Sequence, residues 1–483
     1  MSEFNPLNRR LFLKSTVASA AIAASADALD TKIVVHSVYQ ATGLRIGEVT
    51  PTSAIVWTRL TKNSERNNDG VVFTKRGKSK EALKTPAEEI EGACPGQPGK
   101  IRLLYAISPK EEVVLETEWV NVDEESDFIH QFHLKDLKPG TPYSVICQTS
   151  VEGEVHEGAR VGKFRTAPRP DEVKPVQFCV MTCQGYPDRD HPDGHPIYPA
   201  MTAKNPDFIS LTGDLIYYDN DAPSAMTVDL ARLHWQRMFS LPRLVDTLSL
   251  TSAYWLKDDH DTLDNDSWPG QKYGEVTFEE GQKIFRQQAP LGSDSYRTFR
   301  WGKDLQIWLT DGRDFRSPNK MPDGPEKTIW GAEQKAWFKR TVKESDAAWK
   351  ILISPTPLVG PDRKGKNDNH ANEGFAHEGN EIRQWLKQNV PENFFVVCGD
   401  RHWQYYSVDP ETGVNEISVG AASNSHAGGT PGRNPKIHRF HKVQGGFLNV
   451  VVDAKPDESE ITFQLCDVDG NVAFEQRFQQ SRA

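Results

Sequence analysis

The sequence lacks the cysteine pattern of a disulfide scaffold. Its 483 residues include only six cysteines and no CxxC pair: Cys94, Cys147, Cys179, Cys183, Cys398 and Cys466. Six cysteines are too few to form a disulfide scaffold in a chain of this length. One disulfide is still compatible with the sequence, because spacing alone does not define a pairing. Cys179 lies inside an apolar run and is predicted to be a core residue.

Other functional signatures are also missing. There is no long block of Lys and Arg, and the formal net charge is −10, so no nucleic-acid-binding surface is predicted. Neither a G-x-S-x-G nucleophile elbow nor a phosphate-binding P-loop occurs. With 37% hydrophobic and 26% charged residues, the composition is that of an ordinary globular protein, and 12 Trp and 22 Phe suit a large core.

The first 26 residues have the pattern of a targeting segment. Arg9 and Arg10 precede Phe12, Leu13 and Lys14, and an Ala-rich stretch ends at Ala24-Ser25-Ala26, a small-residue cleavage site. The segment resembles a bacterial twin-arginine export signal, and a frayed N-terminal helix is the alternative. It is too short and too weakly apolar for a permanent transmembrane anchor. The resemblance implies the twin-arginine export machinery as a partner and a periplasmic or secreted protein.

The rest of the chain divides into two predicted domains. Residues 40–167 alternate like short β-strands, and Leu137–Tyr143 resembles the tyrosine-corner region of a fibronectin type III-like β-sandwich. A proline-rich linker is predicted at 168–175, followed by a catalytic domain at 176–483. In the second domain, helices are predicted at 231–238, 332–342 and 381–389, and closing strands at 446–453 and 459–467.

Five apolar runs in the second half end in side chains that can bind metal or titrate. Because ligands gather beyond the carboxyl ends of strands in α/β folds, these five ends are expected to converge. The five runs, each with its adjoining polar residues, are Gln177–Thr182 before Cys183, Phe208–Leu211 before Gly213-Asp214 and Tyr217, Tyr254–Leu256 before Asp258-Asp259-His260-Asp261, Leu305–Thr310 before Asp311, and Phe394–Cys398 before Gly399-Asp400-Arg401-His402.

The donor types indicate more than one metal ion. Carboxylates favour Ca²⁺, Mg²⁺ or Mn²⁺, whereas a thiolate together with a phenolate favours a highly charged ion such as Fe³⁺. A multi-metal site with a bridging Asp suits in-line displacement at phosphorus, with a bound hydroxide as nucleophile. A nearby His can protonate the leaving oxygen.

The ordered set of motifs resembles the PhoD-like alkaline phosphatases, a branch of the calcineurin-like metallophosphoesterases. The matching pieces are Thr182-Cys183-Gln184, Gly213–Tyr217, Asp258–Asp261, Leu309–Arg316 and Gly399–His402. The resemblance implies an α+β or α/β protein, with the fibronectin type III-like sandwich followed by a metallophosphoesterase β-sandwich core flanked by helices. It also implies hydrolysis of phosphate esters, small-molecule or polymeric.

The resemblance further implies an Fe³⁺–Ca²⁺ centre, with Mn²⁺, Zn²⁺ or Mg²⁺ as substitutes. Its expected ligands are Cys183, Asp214 and Tyr217 on the iron side, with Asp214 bridging, Asp259 on the calcium side, and Asp400 and His402 completing the set. The expected catalytic residues are His260 as acid or phosphate donor, Arg313 as a clamp on substrate phosphate, and Asp311.

Each assignment has a structural alternative. Cys183 and His402 could be core residues, Tyr217 could only pack, Asp259 and Asp261 could cap a helix, Asp311 could support the site from outside, and Arg313 could be a salt-bridge partner. Two loops, 186–195 and 367–380, are rich in His and Asp or Asn, and are either solvated or bring His195, His370 or His377 to the cleft. Two alternative functions remain: a phospholipase-D-like phosphodiesterase acting on lipid headgroups, and an inactive, metal-stabilised binding protein.

Overall fold

The computed structural model describes residues 39–74, 84–109, 113–156, 160–390 and 392–481. The predicted export segment at 1–26 lies outside these ranges. Among the described helices, none combines the length and the apolar character that crossing a membrane would require.

Strands supply most of the regular structure in the described ranges. In chain order they are β1 (Leu44–Gly47), β2 (Ala54–Arg59), β3 (Gly99–Ile107), β4 (Leu115–Glu116), β5 (Val120–Val122), β6 (Ile129–Leu134), β7 (Pro142–Val151), β8 (Glu154–His156), β9 (Val161–Arg165), β10 (Val176–Met181), β11 (Phe208–Thr212), β12 (Ser252–Leu256), β13 (Lys272–Tyr273), β14 (Val276–Thr277), β15 (Arg297–Trp301), β16 (Leu305–Leu309), β17 (Trp349–Ser354), β18 (Phe394–Cys398), β19 (Gln404–Val408), β20 (Asn415–Val419), β21 (His438–Lys442), β22 (Gly446–Ala454), β23 (Glu458–Asp467) and β24 (Val472–Ser481).

Helices occur mainly between the strands of the second half. They are α1 (Ile197–Ala203), α2 (Val228–Phe239), α3 (Pro242–Leu250), α4 (Asp259–Thr262), α5 (Phe278–Gln288), α6 (Gly331–Glu344) and α7 (Ala376–Asn389), with 3₁₀ turns at Ala87–Glu89 and Glu373–Phe375. The helices predicted at 231–238, 332–342 and 381–389 lie within α2, α6 and α7. The predicted closing strands correspond to β22 and β23, and the sequence analysis missed β24.

Two large mixed sheets form the centre of the molecule. The first has nine strands in the order β24-β23-β22-β10-β11-β12-β1-β2-β6, and the second has seven in the order β15-β16-β17-β18-β20-β19-β21. Strands β10, β11 and β12 are parallel neighbours in the first sheet, and β16, β17 and β18 are parallel neighbours in the second. Since β1 is also parallel to β12, and β20 to β18, each sheet presents four consecutive carboxyl-terminal strand ends on one edge.

The two sheets pack face to face, with helices outside them. One buried cluster joins side chains of both sheets, such as Phe178 and Leu448 with Ile351 and Phe395. A second cluster packs the outer face of the nine-stranded sheet against α1, α2, α3 and α5, and a third packs the seven-stranded sheet against α6 and α7. This alternation of apolar faces produces an α/β/β/α sandwich, which agrees with the expected β-sandwich core flanked by helices.

The N-terminal strands divide between two sheets. Strands β3, β4, β5, β7, β8 and β9 form a separate six-stranded sheet, whereas β1, β2 and β6 extend the nine-stranded one. Gly47 of β1 pairs in parallel with Ala253 of β12. Strands from before and after the predicted linker at 168–175 therefore belong to the same sheet. The Tyr143 hydroxyl accepts from the Lys138 backbone N–H at 2.9 Å, as in a tyrosine corner. The boundaries at 40–167 and 176–483 stay predictions.

All six cysteines are buried free thiols in this structure. The disulfide that the sequence left open is therefore not formed, and Cys179 is a core residue as predicted.

Candidate metal centre

The predicted metal ligands lie just beyond the carboxyl ends of four strands that meet at one edge of the sandwich. Cys183 comes two residues after β10, Asp214 two residues after β11, and Asp259 three residues after β12. From the facing sheet, Asp400 and His402 come after β18. Because consecutive parallel strands end at the same edge, side chains far apart in sequence become neighbours.

Asp214 lies at the centre of this arrangement. Its carboxylate belongs to three groups whose donor atoms all lie within 4.8 Å of one another: Cys183–Asp214–His402, Asp214–Asp259–His260 and Asp214–Asp258–Asp400. Oδ2 of Asp214 is 3.4 Å from the Cys183 sulfur and 3.3 Å from the Tyr217 hydroxyl. The other five predicted ligands thus surround the carboxylate of Asp214.

Unusual backbone geometry aims these side chains inward. Cys183, Asp214 and Asp400 have φ values of +52°, +55° and +60°, in the left-handed region that side-chain-bearing residues seldom adopt. Such strain is characteristic of functional sites, where the surrounding structure enforces it. At Gly213, φ is +91° and an added Cβ would lie 2.7 Å from the Asp258 Cβ, so the chain requires glycine there.

Unpartnered carboxylate oxygens show that the donor set suits cations. Asp214 Oδ1 and Asp258 Oδ2 are buried and have no hydrogen-bond partner among the described residues. An isolated buried carboxylate oxygen is costly unless a positive charge compensates it. Asp258 was missed as a ligand by sequence reasoning, because neighbouring Asp259 carries the same donor type.

The electrostatics of the protein alone oppose ionisation of the donor side chains. Burial, reinforced by the charge of Asp214, raises the pKa of Cys183 and of Tyr217 well above their usual values. Burial and then the charge of Asp259 likewise raise the pKa of Asp214. A bound multivalent cation reverses this balance and deprotonates the ligands it binds.

His260 belongs to one of the donor groups, and a carboxylate lies on its other side. Its Nδ1 is 2.6 Å from Asp219 Oδ1, and its ring is 4.4 Å from the ring of Tyr217. Burial disfavours the imidazolium, but the charges of Asp259, Asp214 and Asp219 outweigh it and raise the pKa of His260. Asp219 was not identified from the sequence, where it is only another acidic residue after Tyr217.

Arg313 is committed to carboxylates inside the protein. Its side chain is 1% exposed, with Nε 2.6 Å from Asp258 Oδ1 and Nη2 3.4 Å from Asp259 Oδ1. Nη1 donates to the carbonyl of Ser267 at 3.3 Å. This environment matches the salt-bridge alternative, and the clamp on substrate phosphate stays a prediction.

Asp311 belongs to none of the three donor groups. Its carboxylate pairs with the buried Lys257 and accepts the backbone N–H groups of Arg313 and Asp314, each at 2.7 Å. Asp311 therefore shapes the turn that carries Arg313. Its predicted catalytic role has no contact with the donor groups to support it.

Asp261 acts on the backbone of the site. It forms a capping box with Asp258 at the start of α4 and accepts the N–H groups of Asp214, Leu215 and Ile216 at 2.6, 2.6 and 3.1 Å. The structure therefore shows the capping role that the sequence offered for Asp261.

Neither His-rich loop contributes a residue to the donor groups found among the described residues. His195 is fully buried and its Nε2 is 3.2 Å from the Gly185 carbonyl. His370 is bonded to Glu378 at 2.9 Å, and His377 is exposed. His426, which no motif indicated, lies with its ring 4.2 Å from that of His402 and 5.2 Å from that of Tyr217.

Comparison with known proteins identifies related families. The model of the PhoD-like phosphatase family matches residues 178–444, more than half of the chain. A solved structure described as PhoD is 16% identical, with 94% of this chain and 92% of that chain covered and a TM-score of 0.69. Purple acid phosphatase PPD1 from yellow lupin (Lupinus luteus) seeds is 12% identical, with 91% and 74% covered and a TM-score of 0.63. At these identities the two structures show a shared fold. No curated protein sequence matches the chain.

Proposed function

We propose that this chain, which belongs to the PhoD-like phosphatase family, hydrolyses phosphate esters at a multi-metal centre organised by Asp214. Membership of the family supports a metal-dependent hydrolase acting on phosphoric esters. We place the reaction at the donor groups around Asp214, because the donor side chains gather there at the strand ends.

The observation that carries the proposal is that one carboxylate is common to all three donor groups. Asp214 contributes to a thiolate–imidazole group, to a carboxylate–imidazole group and to an all-carboxylate group. A shared carboxylate is what a bridged centre needs, because each of its oxygens can face a different ion. A single-ion site would not require three overlapping groups.

The two sides of Asp214 suit different ions. Cys183 and Tyr217 supply sulfur and phenol oxygen on one side, which favour Fe³⁺. Asp258, Asp259 and Asp400 supply carboxylate oxygens, which favour Ca²⁺, with Mn²⁺ or Mg²⁺ as substitutes. When bound, such ions neutralise phosphoryl oxygens and lower the pKa of water.

The protein's own groups complete the chemistry. His260, held at Nδ1 by Asp219, presents its other ring nitrogen as a proton donor for the leaving oxygen. Arg313 holds Asp258 and Asp259 in place from behind through its ion pairs. In this proposal His260 has the acid role expected of it, and Arg313 has the supporting role that its ion pairs allow.

The first experiment is the visible absorption spectrum of the purified protein, with metal analysis of the same sample. A tyrosinate-to-Fe³⁺ charge-transfer band that is lost in Tyr217→Phe supports the iron side. Full activity in a colourless protein that holds only Ca²⁺, Mn²⁺ or Zn²⁺ overturns the iron assignment but keeps the esterase. Absence of turnover of both p-nitrophenyl phosphate and bis(p-nitrophenyl) phosphate by metal-loaded protein overturns the proposed function.

We also propose export by the twin-arginine route, supported by Arg9-Arg10 and the apolar stretch that comes after them. The test is fractionation of bacterial cells that express the full chain. Arg9→Lys together with Arg10→Lys is expected to retain the protein in the cytoplasm. Equal export of wild type and double variant would overturn this proposal.

A further inference from the structure

Of the three arginines in the sequence motifs, Arg313 and Arg401 are paired with carboxylates, whereas Arg316 is buried and donates to Asn319 and to the backbone carbonyl of Asp368. Arg313 is paired with Asp258 and Asp259. Arg401 is fully buried and its Nη1 is 2.5 Å from Asp362. Carboxylates engage both of these guanidinium groups, so a further cation of the protein would strengthen binding of a substrate phosphate.

Arg363 differs from both in its surroundings. Its side chain is 42% exposed, and the nearest carboxylate oxygen, on Asp362, is 3.7 Å from its Nε. That carboxylate is already engaged by Arg401 at 2.5 Å and by Asn369 at 2.8 Å. Among the described residues, Nε of Arg363 has no hydrogen-bond partner. That nitrogen is itself buried, so an incoming anion would meet the exposed part of the Arg363 side chain, which has no carboxylate oxygen closer than 3.7 Å among the described residues.

The backbone places Arg363 next to the metal centre. Its Nη1 would lie 3.2 Å from a Cβ added at Gly429, so the guanidinium rests against that glycine. The preceding residue, Gly428, donates its backbone N–H to the carbonyl of His402 at 2.9 Å.

We propose that Arg363 is a substrate-binding residue whose guanidinium holds an anionic oxygen of the phosphate ester at the centre around Asp214, an inference that rests on the proposed function. The planar fork of arginine matches phosphate oxygens. The carboxylates of Asp214, Asp258, Asp259 and Asp400 make the centre negative, and Arg363 supplies opposite charge at its edge. A dianionic monoester gains more from this charge than a monoanionic diester, so Arg363 favours monoesters.

The test compares Arg363→Gln and Arg363→Lys with the wild type, using Lys364→Gln as the matched control. Lys364 carries the same charge in the same loop but is exposed and lies outside the contact with Gly429. For p-nitrophenyl phosphate, Arg363→Gln is expected to raise KM by about 10- to 100-fold while kcat changes little, since one charged hydrogen bond is lost. The rise for bis(p-nitrophenyl) phosphate is expected to be smaller, Arg363→Lys to be intermediate, and Lys364→Gln to resemble wild type.

Binding of inorganic phosphate to the metal-loaded proteins, measured by calorimetry, separates this inference from the proposed function. A weaker phosphate Kd in Arg363→Gln supports the inference even if neither ester is hydrolysed, in which case the proposed function fails alone. An unchanged KM and an unchanged phosphate Kd in Arg363→Gln, or equal effects in Lys364→Gln, overturn the role of Arg363. Matching melting temperatures, expected because the side chain is partly exposed, exclude misfolding as the cause of a loss.

Discussion

The carboxylate of Asp261 holds the backbone N–H of Asp214 at 2.6 Å, although Asp261 contributes no atom to the donor groups around Asp214. The same carboxylate accepts from Leu215 and Ile216. Asp214 has a left-handed φ of +55°, so these bonds support a conformation that the residue would not adopt alone. One acidic residue thus fixes the direction of another.

Asp261→Asn is therefore expected to weaken the centre without removing a ligand. The amide group would face backbone N–H donors with its own NH₂, because both carboxylate oxygens of Asp261 accept. We expect metal affinity to fall by about 10- to 100-fold, as for other residues that orient ligands. Metal titration followed by elemental analysis measures this change.

The matched control is Asp207→Asn. Asp207 also accepts a backbone N–H, that of Gln177 at 3.0 Å, but at the opposite end of β10. It should lower the free energy of unfolding by about 1 kcal/mol and leave metal content unchanged. Normal metal affinity in Asp261→Asn would contradict the positioning role.

A second prediction concerns Gly213, which has a φ of +91° and no room for a side chain. An added Cβ would lie 2.7 Å from the Asp258 Cβ and 2.8 Å from its backbone N. Gly213→Ala should therefore displace Asp258 and lower both metal content and activity.

Gly153→Ala is the control, because Gly153 has a similar φ of +87° with nothing within 4 Å. The control should cost only the strain of about 1–2 kcal/mol and keep full metal content. Equal metal loss in both variants would show that strain alone, and not the contact with Asp258, is responsible.

A third prediction separates the two roles considered for Arg313. As an internal ion-pair partner, its loss in Arg313→Met leaves two buried carboxylates uncompensated, which costs about 3–5 kcal/mol of unfolding free energy in the metal-free protein. As a substrate clamp, its loss would raise KM and leave stability intact. Urea unfolding and steady-state kinetics on the same variant decide between them. Arg340→Met, which removes an exposed arginine paired with Glu344, should change stability by less than about 0.5 kcal/mol.

The sequence predicted the strand-end ligands because their signal is local. An apolar run followed by Gly-Asp indicates where a buried strand ends, and Asp214 and Asp400 were found in this way. In the run Asp258-Asp259-His260-Asp261, however, each residue of a starting helix points about 100° from the last. Sequence alone could not tell which of these carboxylates faces the centre and which caps α4. Asp258 was left out of the predicted ligands for this reason.

The features that the sequence did not predict depend on contacts between residues far apart in the chain. The pairing of Gly47 with Ala253 joins strands about 200 residues apart, and nothing near either residue indicates it. Arg313 was assigned from its motif, but its partners come from another strand end. His426 and Arg363 lie in loops without regular patterns, so only the folded chain brings them to the site.

The last prediction concerns Glu378, whose buried carboxylate fixes one of the His-rich loops. Its Oε2 is 2.9 Å from His370 Nε2 and 2.6 Å from the backbone N of Ile329, and Lys335 lies 3.5 Å from its other oxygen. Burial opposes ionisation, but His370, the Thr328 hydroxyl and the Ile329 backbone N–H outweigh it and lower the pKa of Glu378 from 4.5 to about 2. Because the folded-state pKa is depressed, the stabilisation is fully present above pH 4.5 and is lost as the pH falls toward 2.

We therefore expect Glu378→Gln to lower the free energy of unfolding by about 3 kcal/mol at neutral pH, which is the free-energy equivalent of that lowered pKa. The difference from wild type should stay constant between neutral pH and about pH 5 and shrink below it, which urea unfolding at several pH values measures. Glu344→Gln is the control, because Glu344 is exposed at 62% and its ion-pair partner among the described residues is Arg340, which is also exposed. A difference that grows on acidification would mean that Glu378 is held protonated in the folded protein. That result would remove the hydrogen bond between His370 and the Glu378 carboxylate as the reason why residues 367–375 are anchored to α7.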